Sequence, residues 1–355
     1  MYALKLETPK GTKVIGHGCP TFIVAEMSGN HCHSLPKAKA IIDGAAEAGA
    51  DAIKLQTYTA DTLTIDCKNK YFQITEHEDW KGKTLYELYQ TAFTPWEWHA
   101  ELKEYAEDKG LLFFSTPFDE TAVDFLEDLG VQLYKVASFM TENLPLLDKI
   151  GSVKKAVIIS RGLTSLSDLE LALSTLREAG CPQEIILHCV SAYPATPSQM
   201  NLRTIPDLSG RFHLLAGLSD HTLSIAPSIA AVVLGACVIE KHLTTDRSKG
   251  GPDAAFSLEP HELKQMVQAI RDTEQALGKP TYVAALDESK SKIFKQSIFV
   301  VKDIKKGEHF SQDNIRIIRP GFGLQPREFK KVLGKQAEND LSRGTPLQWE
   351  DISSS

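Results

Sequence analysis

The sequence predicts a (β/α)₈ barrel followed by a small β-rich domain, on three observations. Eight short apolar runs recur between residues 21 and 244. Segments with the period of amphipathic helices separate them. After residue 278 the pattern changes to short strands and glycine-marked turns. Parallel strands covered on both faces read as near-continuous apolar runs, and eight strand–helix units make up a barrel of about 250 residues. An open doubly wound sheet is the alternative, but its glycine-rich first turn is absent.

The predicted strands are TFIVAEM (21–27), AIKLQTY (52–58), LLFFSTPF (111–118), LYKVAS (133–138), AVIISRG (156–162), IILHCVSA (185–192), LLAGLSD (214–220) and CVIEKHLT (237–244). Between the first two, Ala38, Ile41, Ile42, Ala45 and Ala48 share a helix face, with Ser34 as N-cap and Gly49 as stop. SLSDLELALSTLREAG repeats the device, with Ser167 and Glu170 as a capping box, a Leu169–Leu173–Leu176 stripe and Gly180 at its end. FTPWEWH (93–99) reads as a helix start with aromatic packing. The last barrel helix is HELKQMVQAIRDTEQALG (261–278), so the barrel spans 1–278. Residues 279–296 are polar and read as a linker or short helix. Residues 297–355 form the β-rich domain, with strands in SIFVV, KKGEHF, NIRIIRPGFG and RGTPLQW and glycines at 307, 321, 323, 334 and 344.

The 355 residues suit one large domain and one small one. A hydrophobic content of 42% and a charged content of 24% are those of a globular chain. Net charge is −7 with no Lys/Arg block, which argues against a nucleic-acid partner. No apolar run is long enough to span a membrane. The N-terminal MYALKLETPKGTKVIGHG lacks the apolar core of a signal peptide. Six cysteines without a C-x-x-C pair read as free thiols, and the expected compartment is the cytoplasm.

Active sites of such barrels lie at the C-terminal ends of the strands. Here all eight ends are polar. The first ends in Glu26, followed by Ser28, Asn30 and His31; the second carries Lys54 and Gln56 on one face. The third ends Ser115-Thr116-Pro117, the fourth carries Lys135 and Ser138, and the fifth ends Ser160-Arg161-Gly162. The sixth ends Ser191-Ala192-Tyr193, the seventh Ser219-Asp220-His221 and the eighth Glu240-Lys241-His242. One polar end is ordinary turn chemistry. Two lysines and an arginine within barrel strands, ringed by hydroxyls, suit an anion with several oxygens, because an unpaired buried ammonium is costly. A lone histidine at a strand end is more often a hydrogen-bonded core residue than a ligand. Two on adjacent strands make a shared cation an even alternative; with oxygen partners they suit Mn²⁺, Mg²⁺ or Zn²⁺ alike. Glu26 pairing with Lys54 is the structural alternative to a proton-transfer role. The serines alone fit caps, Lys241 fits a structural salt bridge, and Cys189 and Cys237 fit the core.

VAEMSGNH, AIKLQTY, FFSTPFD, YKVAS, GLSDHT, IEKHLT and GGPDAAFSLEP together resemble the sialic-acid-synthase family of nonulosonic acid synthases. DIKKGEHFSQDNIRIIRPGFG resembles that family's antifreeze-like (SAF) domain. The resemblance implies condensation of phosphoenolpyruvate with the open-chain aldehyde of an N-acetylated sugar, with water added and phosphate released. It implies that His221 and His242 hold a divalent cation, Mn²⁺ or Mg²⁺, and that Glu26 handles protons. It places Lys54, Thr116, Lys135, Ser138, Ser160, Ser191 and Ser219 around phosphoenolpyruvate. Gln56, Tyr193, Glu240 and Asp253 match positions near the sugar. Arg319 matches an arginine that reaches a partner subunit's barrel, which implies a domain-swapped homodimer.

Sialic and legionaminic acid synthases commonly read GPDH where this chain has Ala254. GGPDAAFSLEP, with TPWEWH and RPGFGLQP, resembles instead the pseudaminic acid synthases, whose sugar is 2,4-diacetamido-2,4,6-trideoxy-L-altrose. Phe256 is then the expected apolar wall for a methyl group where other members meet a hydroxyl. Cys32 in NHCHS and Thr245 in LTTDRS depart from the commoner family turns. A synthase for sialic or legionaminic acid, and a non-catalytic sugar-binding barrel, are the alternative readings.

Overall fold

The computed structural model describes residues 3–75, 80–283 and 288–353. The chain divides into two compact units, Met1–Gly278 and Lys279–Ser355.

The first unit opens with an antiparallel hairpin, β1 (Leu4–Thr8) and β2 (Gly11–Ile15). Eight parallel strands follow: β3 (Phe22–Glu26), β4 (Ala52–Thr57), β5 (Leu112–Pro117), β6 (Leu133–Val136), β7 (Ala156–Arg161), β8 (Glu184–Cys189), β9 (Leu215–Asp220) and β10 (Val238–His242). They close in chain order, with β10 against β3. The predicted barrel is therefore the observed one, and each apolar run yields one strand.

Side chains alternate across each strand, so the barrel has two cores. Phe22, Val24, Ala52, Leu112, Phe114, Leu133, Ile158, Ile185 and Leu187 fill the interior together with Leu4, Leu6 and Ile15 of the hairpin. The hairpin thus plugs the N-terminal end of the barrel. The sequence reading missed it because LKLET and GTKVI are short and half polar. Ile23, Ile53, Phe113, Tyr134, Val157, Ile159, Ile186 and Ile239 point outward and pack against the helices. Each such side chain contributes roughly 1.5–3 kcal/mol when fully buried.

The helix Leu35–Ala48 begins at Ser34, whose hydroxyl accepts from Lys37 N, and ends at Gly49 with φ 86°. The helix Leu166–Ala179 buries Leu169, Leu173 and Leu176 and stops at Gly180, as expected. Its cap differs: Ser165 accepts from the backbone N–H of Asp168, so the helix starts before the predicted Ser167–Glu170 box. Of two competing serines, the earlier one brings two more residues into the helix. FTPWEWH gives a short 3₁₀ turn, Trp96–Trp98, that runs into the helix His99–Asp108. The last barrel helix is Pro260–Leu277. No helix among the described residues is long and apolar enough to cross a membrane.

Of the linker expected over 279–296, residues 284–287 lie outside the described residues; Glu288–Phe294 is a 3₁₀ helix. In the second unit β11 (Ser297–Val300) pairs antiparallel with β12 (Ile315–Ile318). The expected strands in KKGEHF and RGTPLQW are instead single bridges, at His309–Gln336 and Pro346–Phe299. Ile298, Val300, Phe310, Ile315, Val332, Leu341 and Leu347 give this unit its own core.

Candidate active site

The interior-facing residues at the C-terminal ends of the strands are polar, and they meet in one cavity of about 830 Å³. Lys54 and Gln56 enter it from β4, Lys135 from β6 and Ser160 from β7. Ser138, Ser191 and Tyr193 come from the following loops, and Ser219, His221, Glu240 and His242 from the ends of β9 and β10. Asp253 closes the rim. Glu26 lies fully buried beneath them, and Thr116 is buried beside Lys54. Arg319 follows β12 in the second unit.

Two expectations change. Arg161 does not join the cationic ring. It is one residue past the inward Ser160, so it points outward; its Nε donates to the Thr164 carbonyl, and it lines a separate cleft with His188. Cys189 is buried as expected but also lines the main cavity. Lys241, also out of phase, makes the expected structural ion pair, 2.8 Å from Asp220 with both side chains fully buried.

The cations are held in a charge-balanced cluster. Lys54 Nζ lies 2.8 Å from Glu26 Oε2 and 3.6 Å from Glu240 Oε2. Lys135 Nζ lies 3.6 Å from Glu240 Oε1 and donates to Ser160 Oγ at 2.7 Å. Lys54 also donates to Thr116 Oγ1 at 3.2 Å, and Ser219 donates to Glu240 Oε1 at 3.0 Å. So Glu26 does pair with Lys54, yet Glu240 shares the same ammonium.

The two carboxylates are driven apart. Burial raises the Glu26 carboxyl; Lys54 opposes this and the Glu240 charge adds to it, for a net rise. Burial also pushes Glu240 up, but the Lys135 and Lys54 ammoniums outweigh it, so Glu240 is lowered. Burial lowers Lys135, and the Glu240 charge does not fully restore it. Burial opposes Lys54 too, but Glu240 and Glu26 together hold it above its ordinary value. Carboxylates whose environments separate their proton affinities are the usual mark of an acid–base assignment.

His221 and His242 are neighbours, ring centroids 5.2 Å apart. His221 Nδ1 is 3.0 Å from the Val190 carbonyl and 3.8 Å from Cys189 Sγ. A single N–H serves the nearer oxygen, which leaves Nε2 with the lone pair. Burial disfavours a charged His221 ring, but the Cys189 sulfur and the Val190 carbonyl outweigh it and raise its proton affinity. Burial, then His221 and the lysines, hold His242 far below its ordinary value, so this ring is neutral. Its Nδ1 is buried with no hydrogen-bond partner among the described residues. Two ring nitrogens with free lone pairs can hold one cation; no third His, Cys, Asp or Glu among the described residues completes a cluster of three.

The phosphoenolpyruvate candidates also contact one another. Ser138 Oγ and Ser191 Oγ are 3.0 Å apart. A Cβ added at Gly162 would fall 2.4 Å from Ser191 Oγ and 2.7 Å from Ser138 Cβ, so only glycine lets this loop close on the serines. Gln56 Nε2 donates to Glu26 Oε1 and Ser28 Oγ at 3.2 and 2.9 Å, and Ser28 Oγ donates to Asp253 Oδ2. Phe256 is only 2% exposed and does not line the cavity. Its ring backs the histidines and Tyr193, with centroids 4.9 Å from His242, 5.9 Å from His221 and 5.1 Å from Tyr193.

With this geometry in place, comparison with known proteins is decisive. Residues 41–282 match the NeuB family, and residues 295–353 match the SAF domain. The chain belongs to the NeuB family. A pseudaminic acid synthase of Campylobacter jejuni is 42% identical over 93% of this chain and 96% of its own. An N,N'-diacetyllegionaminic acid synthase of Legionella pneumophila is 38% identical over 96% of this chain and 97% of its own. The N-acetylneuraminic acid synthetase of Leptospira borgpetersenii, solved with citrate, superimposes with a TM-score of 0.69 at 33% identity, covering 81% of this chain and 95% of that one.

Sequence reasoning missed the other wall of the NeuB-family cavity. Between β4 and the helix His99–Asp108 the chain makes a long excursion, from which Leu63, Ile74, Trp80, Leu85, Leu88 and Tyr89 face the cavity. The segment carries the helix Leu85–Ala92, with a capping box at Thr84 and Glu87. That S/T-x-x-E signature was readable; its position over the barrel mouth was not.

Proposed function

We propose that this NeuB-family member condenses phosphoenolpyruvate with 2,4-diacetamido-2,4,6-trideoxy-L-altrose and water, giving pseudaminic acid and inorganic phosphate. The observation that carries the reading is the meeting, at one barrel mouth, of a histidine pair, two buried lysines and two carboxylates with opposed proton affinities. The pseudaminic acid synthase relative supports the choice of sugar.

In this reaction C3 of phosphoenolpyruvate bonds to the sugar's aldehyde carbon, and water oxygen adds to C2. The bond from C2 to the phosphate oxygen breaks as the added oxygen becomes the keto group; of the water's two protons, one ends on the former aldehyde oxygen and the other on the departing phosphate. Lys54 and Lys135, with Thr116, Ser138, Ser160, Ser191 and Ser219, bind the carboxylate and phosphate oxygens and offset their negative charge. Glu26, with its raised proton affinity, carries a proton between water and substrate oxygen. Glu240 stays ionised and holds both ammoniums in place. Gln56, Tyr193 and Asp253, with Glu240, orient the sugar, and Phe256 acts by fixing the histidine rings.

His221 and His242 would hold a divalent cation, Mn²⁺ or Mg²⁺. The orphaned Nδ1 of His242 and the tautomer of His221 fit such an ion. When bound, the ion supplies a Lewis acid beside the aldehyde. Arg319 reaches the sugar from a partner subunit in a domain-swapped homodimer. The cysteines, all unpaired, fit a cytoplasmic enzyme.

The test is a panel of sugars incubated with phosphoenolpyruvate and Mn²⁺, with mass detection of the nine-carbon product. The trideoxy altrose should be turned over in preference to N-acetylmannosamine and to the legionaminate precursor, with phosphate released only when sugar and metal are both present. Clear preference for N-acetylmannosamine overturns the sugar assignment.

A further inference from the structure

We infer that the excursion between β4 and the helix His99–Asp108 is the specificity wall of the sugar site. Its apolar face, Leu63, Ile74, Trp80, Leu88 and Tyr89, takes the 6-methyl end of a deoxy sugar. The inference rests on the reaction proposed above and names the part of the site that selects the substrate.

The cavity has two chemically distinct sides. The strand ends supply ammoniums, carboxylates, hydroxyls and imidazoles, which suit the anionic substrate and the reacting aldehyde. The excursion supplies mostly hydrocarbon, with Gln73 and Thr75 as its polar members. With the aldehyde carbon held at the polar side, the far end of the sugar extends toward the apolar one. Phe256, the residue expected to meet a methyl group, is sealed behind His242 and Tyr193, so that contact falls to another surface.

The wall is fixed in place. Trp80 Nε1 donates to the Pro252 carbonyl at 3.1 Å, so its donor is spent and its ring offers carbon to the cavity. Pro252 precedes Asp253, whose N–H donates to Asn30 Oδ1 at 3.3 Å. The wall and the rim carboxylate therefore belong to one assembly. Tyr89 packs edge-on against Tyr58 with centroids 5.7 Å apart, and Tyr58 in turn packs against Phe118 at 5.1 Å. Ile74 is anchored by its backbone, its N–H donating to the Lys83 carbonyl at 3.0 Å and its carbonyl accepting from Gly82 at 3.1 Å. Its side chain can thus be changed without unpairing the loop.

A hydroxyl set against the carbon of Leu63, Ile74 and Leu88 gives up hydrogen bonds to water and gains none, whereas a methyl gives up nothing. Discrimination of this kind is worth on the order of tenfold or more in kcat/KM.

The test compares 2,4-diacetamido-2,4,6-trideoxy-L-altrose with its 6-hydroxy counterpart, using the wild-type enzyme, Ile74→Asn and the conservative Ile74→Val. The wild type and Ile74→Val should prefer the deoxy sugar by about tenfold or more. Ile74→Asn should bring the ratio close to one with the KM for phosphoenolpyruvate unchanged. If the wild type turns over the trideoxy sugar and Ile74→Asn keeps the wild-type ratio, the wall is not the selector and the function stands. If the wild type turns over N-acetylmannosamine but not the trideoxy sugar, the proposed reaction fails and the wall fails with it.

Discussion

At the scale of single residues, the direction of each side chain is set by strand parity. Ser160, Ser219, Glu240 and His242 face inward, while Arg161, Asp220 and Lys241 face outward, each one residue away. The same parity separates two kinds of buried lysine. Lys241 is matched by one carboxylate and closed off, whereas Lys54 and Lys135 share two carboxylates and open to a cavity. An ammonium that borders a cavity has capacity left for a substrate anion; one that is fully enclosed has none. The histidine pair gives the prediction at this scale. His242→Ala should leave the urea midpoint close to wild type, because the ring borders an existing cavity. It should lower kcat by more than about a hundredfold, since loss of even an outer-shell partner costs about 10- to 100-fold. Activity retained by His242→Ala after treatment with a chelator would contradict the cation assignment.

At the scale of elements, polar side chains fasten the excursion and the first loop to the barrel. His31 Nδ1 accepts from His33 N at 3.1 Å, so Nε2–H donates to Thr94 Oγ1 at 3.0 Å. His99 Nδ1–H donates to the Pro95 carbonyl at 3.2 Å, so Nε2 accepts from Thr57 Oγ1 at 2.9 Å. Both patterns require a neutral ring. Burial accordingly holds His31 down to about 3 and His99 down to about 4. A base whose folded-state value is depressed binds protons better in the unfolded chain. The stability it gives is complete above about pH 6.5 and is lost as pH falls from there toward 4. The slope is about 1.4 kcal/mol per pH unit for each ring. Urea unfolding at pH 7.5 and pH 5 should show this loss, and His99→Gln should reduce it. Equal stability at the two pH values for the wild type would refute the account. The pairing Thr57–His99 joins β4 to the helix after the excursion. Neither partner announces itself in the sequence, because a threonine in a strand and a histidine in a helix each have many ordinary roles.

At the scale of the whole molecule, the two units have separate cores, and Arg319, proposed to reach the sugar of a partner subunit, lies in the second. If that arginine comes from a partner subunit, two differently inactive chains can share one working site. Arg319→Ala and His242→Ala should each be nearly inactive alone. An equal mixture, refolded together, should recover about a quarter of wild-type activity, since half the dimers are mixed and each has one complete site. No recovery would favour an arrangement within one chain. The sequence by itself determined the barrel, because eight apolar runs with helical spacers have few other ways to bury their surface. It also determined which strand ends carry polar groups, since those residues interrupt apolar runs. Only the tertiary structure decided that Arg161 turns away from the cavity, that Phe256 is buried behind the histidines, and that Leu63, Ile74, Trp80, Leu88 and Tyr89 line the same cavity. The reason is physical: periodicity records which face of an element is buried, but it carries no information about what is packed against that face. Contacts between segments far apart in the chain, such as Trp80 with Pro252, exist only once closure of the barrel brings their loops to the same end.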